Sequence, residues 1–393
     1  MFAYLNKKFP GKFCYIINRH LLNQLTEVFE NFDFNNVFTV DLEGSENQVV
    51  SYKEVKQTRF YADNIPDPIE TDRKASFPRK VYWYYKNMFR QKKLFNMIER
   101  IRSENEIKVF IGVFGGILPL VFYFNQNPRK ASVIFSDMDS WFVDVHRDMK
   151  RLWYRKYYSF NNTLENADLV DFLSPYILNG IRSMGINADD ERTAIAPCSF
   201  TDYTKCKVGD KSGFSIAYAS RLEPDKNPIL FLEAAKRIYA EFPQIKFHLL
   251  GEGTLAYEIE NFISGNNLGG AVDFRFHRNP PEIFAKTSAF VSLQSNTNYP
   301  SQSVLEAMAC GNAIIASNVG DTNLFISESN GLLINLNVEE LTGAIKKLIT
   351  TPGLASSLGN SGREFVLKNH TIEKMADYYV DLIERANKKV FLQ

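Results

Sequence analysis

The chain has no run of roughly 20 apolar residues, the length that a bilayer-crossing helix needs. Its longest uncharged stretch opens with Val109 to Phe124, which is broken by Gly115, Gly116 and Pro119. The amino terminus reaches Lys7 and Lys8 at once, so neither a secretory leader nor a membrane span is expected. Cysteine is scarce: Cys14, Cys198, Cys206 and Cys310 show no metal-ligand spacing and are expected to be reduced thiols. Short internal repeats and low-complexity linkers are absent. Charge of one sign is also lacking, since 46 Lys and Arg face 45 Asp and Glu for a net +1. The length of 393 residues suits two domains of roughly 200 each, both large enough for a core of their own.

What the chain does have is an alternation of short apolar runs with helical stretches. In the second half the runs are Phe214 to Ala219, Ile245 to Leu250, a third ending at Phe276-His277-Arg278, Ala289 to Gln294 and Ala313 to Ser317. A helix-like stretch spans 228–242, and the turn Gly251-Glu252-Gly253 follows the second run. Such a pattern predicts a parallel sheet with helices on both faces, whose ligands sit beyond the carboxyl ends of the strands. Arg221, Gly251, His277 and the stretch Asn298 to Ser303 all follow such ends, so one crevice should gather them.

The most informative stretch is Asn298-Tyr-Pro-Ser-Gln-Ser-Val-Leu-Glu-Ala-Met-Ala-Cys-Gly311. A polar loop opens a small-residue helix whose free amides would attract an anion, with Glu306 one turn inside to meet hydroxyls on the anion's carrier. Ser303-Val-Leu-Glu306 also spells a capping box, in which Ser303 caps the helix and Glu306 returns to its amide. Both readings are open at this level.

Taken jointly, Arg221 and Lys226, Gly251-Glu252-Gly253, Leu305 to Gly311, the Ala313 run followed by Gly320, and Asn330-Gly331-Leu-Leu-Ile resemble the nucleotide-binding half of glycosyltransferase family 4. The resemblance covers about 211 to 390 and implies the α/β fold named GT-B: two Rossmann-like domains facing a cleft, with a carboxy-terminal helix crossing back to the first. The implied borders are 1–204 for an acceptor-binding domain, 205–372 for a nucleotide-sugar-binding domain and 373–393 for the returning helix. It further implies that Arg221 and Lys226 hold the donor diphosphate, where fixed cations meet charge that grows as the glycosidic bond breaks. The amides of Ser301, Gln302 and Ser303 would form a second clamp, Glu306 would pair with ribose hydroxyls, and backbone groups near His277 and Arg278 would meet the base. The family usually carries two glutamates separated by seven residues. Here the first is Asn298, which can donate and accept hydrogen bonds but holds no charge toward an oxocarbenium-like centre.

The first half alternates too, at Phe2 to Leu5, Val37 to Leu42, Val109 to Val113, Ala131 to Phe135 and Leu169 to Leu173. Residues 167–197 resemble the end of the family's acceptor domain. Many members place a His after the strand matching Ala131 to Phe135. Ser136-Asp137-Met138-Asp139 stands in that region, with Asp137 as the candidate for the position. Asp137-Met-Asp139 also resembles the metal-binding Asp-x-Asp of GT-A enzymes, in which carboxylates hold a divalent ion. Gly11 takes the place of the family's glycine loop near the donor phosphates, or forms an ordinary turn.

From Arg73 to Arg102 the chain is basic and aromatic, and a second such run spans His146 to Tyr158. This face either docks on anionic lipid headgroups or packs its aromatics inward. Nucleic acid ranks last, since no recognisable nucleic-acid module accompanies it. The combined expectation is a retaining glycosyltransferase, moving a sugar from a nucleoside diphosphate to a hydroxyl of a glycan or lipid-linked acceptor. It would need no metal or other cofactor and would act in bacterial cell-surface polysaccharide assembly, in the cytoplasm or at the inner membrane face. Two alternatives stand beside it: a non-catalytic GT-B partner of an active transferase, motivated by Asn298, and a nucleotide-sugar epimerase using Asp137 and Asp139.

Overall fold

The computed structural model describes residues 15–18, 37–40, 46–47, 77–137, 143, 160–199 and 201–391. They fall into two compact units, one made of Met1–Leu173, Leu178–Ile195 and Ala376–Gln393, the other of Ser174–Ile177 and Ala196–Met375.

In the first unit, strands β1 (Tyr15–Asn18) and β2 (Val37–Val40) pair in parallel and β3 (Glu46–Asn47) joins β2 antiparallel. A second sheet has the order β4-β5-β6-β7, built from Val109–Val113, Ser132–Asp137, Leu169–Phe172 and Thr193–Ile195, all parallel. Helix α1 (Phe77–Glu104) precedes β4, and a 3₁₀ segment (Phe114–Tyr123) follows it. Phe95 of α1 meets Tyr123 edge to face at 5.0 Å, and the Tyr123 hydroxyl donates to Glu99 at 2.6 Å. Helices α2 (Phe160–Asn166) and α3 (Pro175–Ser183) flank β6 in sequence. The last helix of the chain spans Ile372–Phe391, and its residues from Ala376 onward belong to this unit. There the Ser132 hydroxyl donates to the Ala386 carbonyl at 2.8 Å, and Tyr379 shares a 3.1 Å hydrogen bond with Ser136.

The second unit holds a six-stranded sheet in the order β10-β9-β8-β11-β12-β13. Its strands are β8 (Ser215–Ala219), β9 (Lys246–Leu250), β10 (Val272–Arg275), β11 (Ala289–Ser292), β12 (Ala313–Ser317) and β13 (Gly331–Ile334), every pair parallel. Counted from β8, this is the 3-2-1-4-5-6 order of a dinucleotide-type sheet, which reverses direction between β8 and β11. Both central strands are continuous apolar runs because helices cover both faces, and β11 and β12 are buried along their whole lengths. The connections carry α4 (Pro228–Glu241), α5 (Ala256–Gly265), α6 (Pro281–Phe284) and α7 (Gln302–Ala309), while α8 (Val338–Thr350) and α9 (Leu354–Asn369) follow β13, which makes the last helix α10.

Candidate functional site

In a doubly wound sheet, ligands bind at the carboxyl ends of the two strands where the order reverses, because the flanking loops there diverge to opposite faces. Those strands are β8 and β11. The loop after β8 carries Arg221 and Lys226, and the loop after β11 runs from Leu293 into α7. The two loops are stitched together. The Lys226 ammonium donates to the Gln294 Oε1 at 2.6 Å and pairs with Asp225 at 2.8 Å. Ser295 gives its amide to the Asp225 carbonyl at 2.9 Å, while the Asn227 side chain donates to the Leu293 carbonyl at 2.8 Å. Tyr218 of β8 donates its hydroxyl to the Lys226 carbonyl at 2.6 Å, fixing the backbone beneath the ammonium.

Arg221 is exposed, and among the described residues no hydrogen bond or ion pair engages its guanidinium. Its backbone is held by the neighbouring turn. Leu222 donates to the Glu252 carbonyl at 2.8 Å and Leu255 to the Leu222 carbonyl at 3.0 Å. Gly251 sits at φ +152°, and a Cβ there would lie 2.0 Å from the Ser220 carbonyl oxygen, so the close approach of this turn to the Arg221 loop demands glycine. Glu223 accepts from the Thr254 hydroxyl at 2.6 Å and from its amide at 3.2 Å; these bonds, helped by the charge of Arg221, hold its carboxyl below the ordinary range.

Helix α7 begins two residues earlier than the capping-box reading requires. Ser301, not Ser303, is the cap, and no side chain closes the end. Glu306 does not return to the Ser303 amide; its Oε1 accepts from Gln302 at 2.9 Å, and burial pushes its carboxyl above the ordinary range. Ser301 gives its amide to the Asn298 carbonyl at 2.5 Å, and no acceptor for the Gln302 or Ser303 amides is found among the described residues. Those two amides stand where the helix dipole favours an anion.

Asn298 is 1% exposed. Its Oδ1 accepts from Ser292 at 2.6 Å, and its Nδ2 reaches the Ser317 carbonyl and hydroxyl at 3.0 Å each and Thr322 Oγ1 at 3.1 Å. The side chain thus ties the ends of β11 and β12 to the loop before α7. Both its donor and its acceptor are used, and a carboxylate in the same place would face the Ser317 carbonyl with no hydrogen to give.

His277 accepts the Asn279 amide at its Nδ1 and lies 3.9 Å from Glu282, in the loop after β10, where Arg278 is exposed. Asp137 is the last residue of β5, in the first unit, in register with Phe172 of β6. Gly11, Asp139, the segment 2–5 and the run 146–158 lie outside the described residues. Sequence reasoning passed over Gln294 and Asp225 as partners of Lys226, and Asn227 as the tie to Leu293 and Ser295. The available signal was a polar residue directly after an apolar strand on each side of the sheet's reversal.

Residues 207–365 match the model of the family described as Glycosyl transferases group 1. The match lies within the carboxy-terminal unit. Over 290 residues the chain is 25% identical to the poly(ribitol-phosphate) alpha-N-acetylglucosaminyltransferase of Staphylococcus aureus, covering 72% of this chain and 57% of that protein. It is 28% identical over 183 residues to the UDP-Gal:alpha-D-GlcNAc-diphosphoundecaprenol alpha-1,3-galactosyltransferase of Escherichia coli, covering 44% and 47%. The chain therefore spans about half the length of these relatives. Among solved structures, the sucrose-phosphate synthase of Thermosynechococcus elongatus superposes with a TM-score of 0.67 at 18% identity, covering 95% of this chain and 99% of that one. Anabaena Alr3699/HepE in complex with UDP and glucose superposes at 0.65 with 13% identity, covering 95% and 100%. These likenesses establish the fold class as GT-B, two α/β units with parallel sheets.

Proposed function

We propose that the chain is a retaining glycosyltransferase of family 4, moving a sugar from a nucleoside diphosphate donor to a hydroxyl of a glycan or lipid-linked acceptor. The observation that carries this reading is the reversal between β8 and β11, where Lys226, Arg221 and the start of α7 converge within one group 1 domain. Arg221 and Lys226 would meet the two negative charges of the departing diphosphate, and the Gln302 and Ser303 amides would take a further phosphate oxygen. Preorganised donors of this kind act most on charge that grows in the transition state. Glu306, one turn into α7, would accept from ribose hydroxyls, with the loop of His277 and Arg278 at the base. Asn298 would act by anchoring the loop, not by charge.

The departing phosphate can draw the acceptor proton on the same face of the sugar, so the reading needs neither a protein base nor a metal. The relatives named above act on a polyribitol phosphate and on a diphosphoundecaprenol-linked sugar. They support an acceptor of glycan or lipid-linked type in bacterial cell-surface polysaccharide assembly; on this reading the reaction takes place in the cytoplasm or at the inner membrane face. The second reading, a non-catalytic GT-B partner, is favoured by the neutral, fully engaged side chain of Asn298.

Single-turnover assays with nucleotide sugars separate the two. The enzyme reading expects diphosphate release and a fall in kcat of roughly 10²-fold or more in Lys226→Ala and Arg221→Ala, with unchanged melting temperature. No release from any donor, or near-normal kcat in both variants, contradicts it.

A further inference from the structure

Between Asp72 and Glu99 the sequence carries Lys or Arg at eight positions and Asp or Glu at none. Nearly all of that stretch is helix α1, and the helix has two unlike sides. Phe95, Met97, Ile98 and Ile101 are buried against the body of the unit. At 3.6 residues per turn, Tyr82, Tyr85, Met88 and Phe89 lie on the opposite side. They are exposed by 60%, 64%, 44% and 66%. Lys92 and Lys93 are exposed as well; the Lys93 ammonium sits 5.3 Å from the centre of the Phe89 ring, and the Lys92 ammonium borders the patch, 4.7 Å from the centre of the Phe95 ring and 4.9 Å from that of Phe122.

The carboxylate that ends the basic stretch does not offset it. Burial works against the charge of Glu99, yet bonds from Arg102, Tyr123 and Lys130 hold its pKa at about 2, so its charge is spent inside the unit. Among the described residues the patch from Tyr82 to Lys93 sets exposed Tyr and Phe rings beside Lys92 and Lys93 with no carboxylate between them, the exposed Glu104 standing at the far end of the helix paired with Arg100, and such a surface matches the interface of an anionic bilayer. Rings settle at headgroup depth while Lys and Arg meet phosphate. No helix among the described residues is long and apolar enough to cross a membrane, so the contact is peripheral.

We infer that the outer face of α1, centred on Tyr82, Tyr85 and Phe89 with Lys92 and Lys93, docks on anionic lipid headgroups. This deepens the proposed reading, on which it rests for its purpose: a lipid-linked acceptor is met at a bilayer surface. The test is co-sedimentation of the full chain with vesicles of phosphatidylcholine alone or with roughly 30% phosphatidylglycerol, a range in which polybasic surfaces respond to charge.

The expected result is binding at least tenfold stronger to the anionic vesicles, falling steeply as salt rises. Two variants sharpen it. Tyr82→Ser/Tyr85→Ser/Phe89→Ser and Lys92→Glu/Lys93→Glu change exposed side chains only, and each should lower vesicle binding about tenfold while nucleoside diphosphate binding is unchanged. Equal binding to neutral vesicles, unaltered binding by both variants, or displacement from vesicles by an RNA oligomer at the same salt would overturn the inference. The assay needs no turnover, so its failure leaves the transferase reading standing, and loss of donor release leaves the docking face standing.

Discussion

Lys226 is held between a neutral amide and a carboxylate: Gln294 at 2.6 Å and Asp225 at 2.8 Å. A diphosphate arriving at the ammonium has to share it with Asp225. Asp225→Asn removes that competitor while keeping the shape, so nucleoside diphosphate affinity should rise by about two- to fivefold, as suits a half-exposed ion pair. Titration calorimetry at low salt checks this, and an unchanged or weaker affinity would show that Asp225 instead orients the lysine for the ligand. At Asn298 the same scale explains a departure from the family pattern. The isosteric Asn298→Asp places a charge against the Ser317 carbonyl and strips two donated hydrogen bonds, which should cost on the order of 2–5 kcal/mol. Chemical denaturation should show this loss, and Asn298→Glu should not raise turnover. These contacts were not legible in the sequence. Lys226 and Gln294 lie 68 positions apart and meet only because β8 and β11 are neighbours. The residue types on the strand ends could be read in advance, but not which of them would be spent on one another.

At the scale of elements, the strands of the second unit were the most legible part. Ala313 to Ser317 coincides with β12, and the expected helix at 228–242 with α4, because a sheet covered on both faces writes its strands as plain apolar runs. The capping-box reading would have put the start of α7 two residues late, since Ser301 and Ser303 have equal propensity to cap and only the fold of the preceding loop selects between them. The Gly251 turn makes a test of how the Arg221 loop is held. Gly251→Ala puts a methyl into the Ser220 carbonyl, which should lower the unfolding midpoint and weaken donor affinity together. A loss of affinity with intact stability would separate the loop from the turn.

Helix α10 supplies the pH-dependent element. Asp171 of β6 is bonded to Ser136, which also contacts Tyr379, and burial pushes its carboxyl up to about 7. Its folded value lies above its unfolded value, so the folded state binds the proton more tightly. Stability from this group is then full below about pH 4 and declines as pH rises through 7. Denaturation midpoints measured across that window should fall for the native chain, and the slope should flatten in Asp171→Asn. A slope of the opposite sign would place the buried charge elsewhere.

For the whole molecule, composition already excluded a crossing helix, and the alternation of strands and helices already named the α/β class. What it did not reveal was the strand order, which turns a set of loops into one site by placing β8 beside β11. The central claim is that this reversal point grips the diphosphate of a nucleotide. The most direct measurement is the affinity of the best-binding nucleoside diphosphate for the native chain and for Lys226→Ala, Arg221→Ala and Glu306→Gln, by calorimetry at one pH and salt. The account predicts that each variant loses at least about tenfold in affinity with its melting temperature retained. Equal affinity across all four proteins would contradict it.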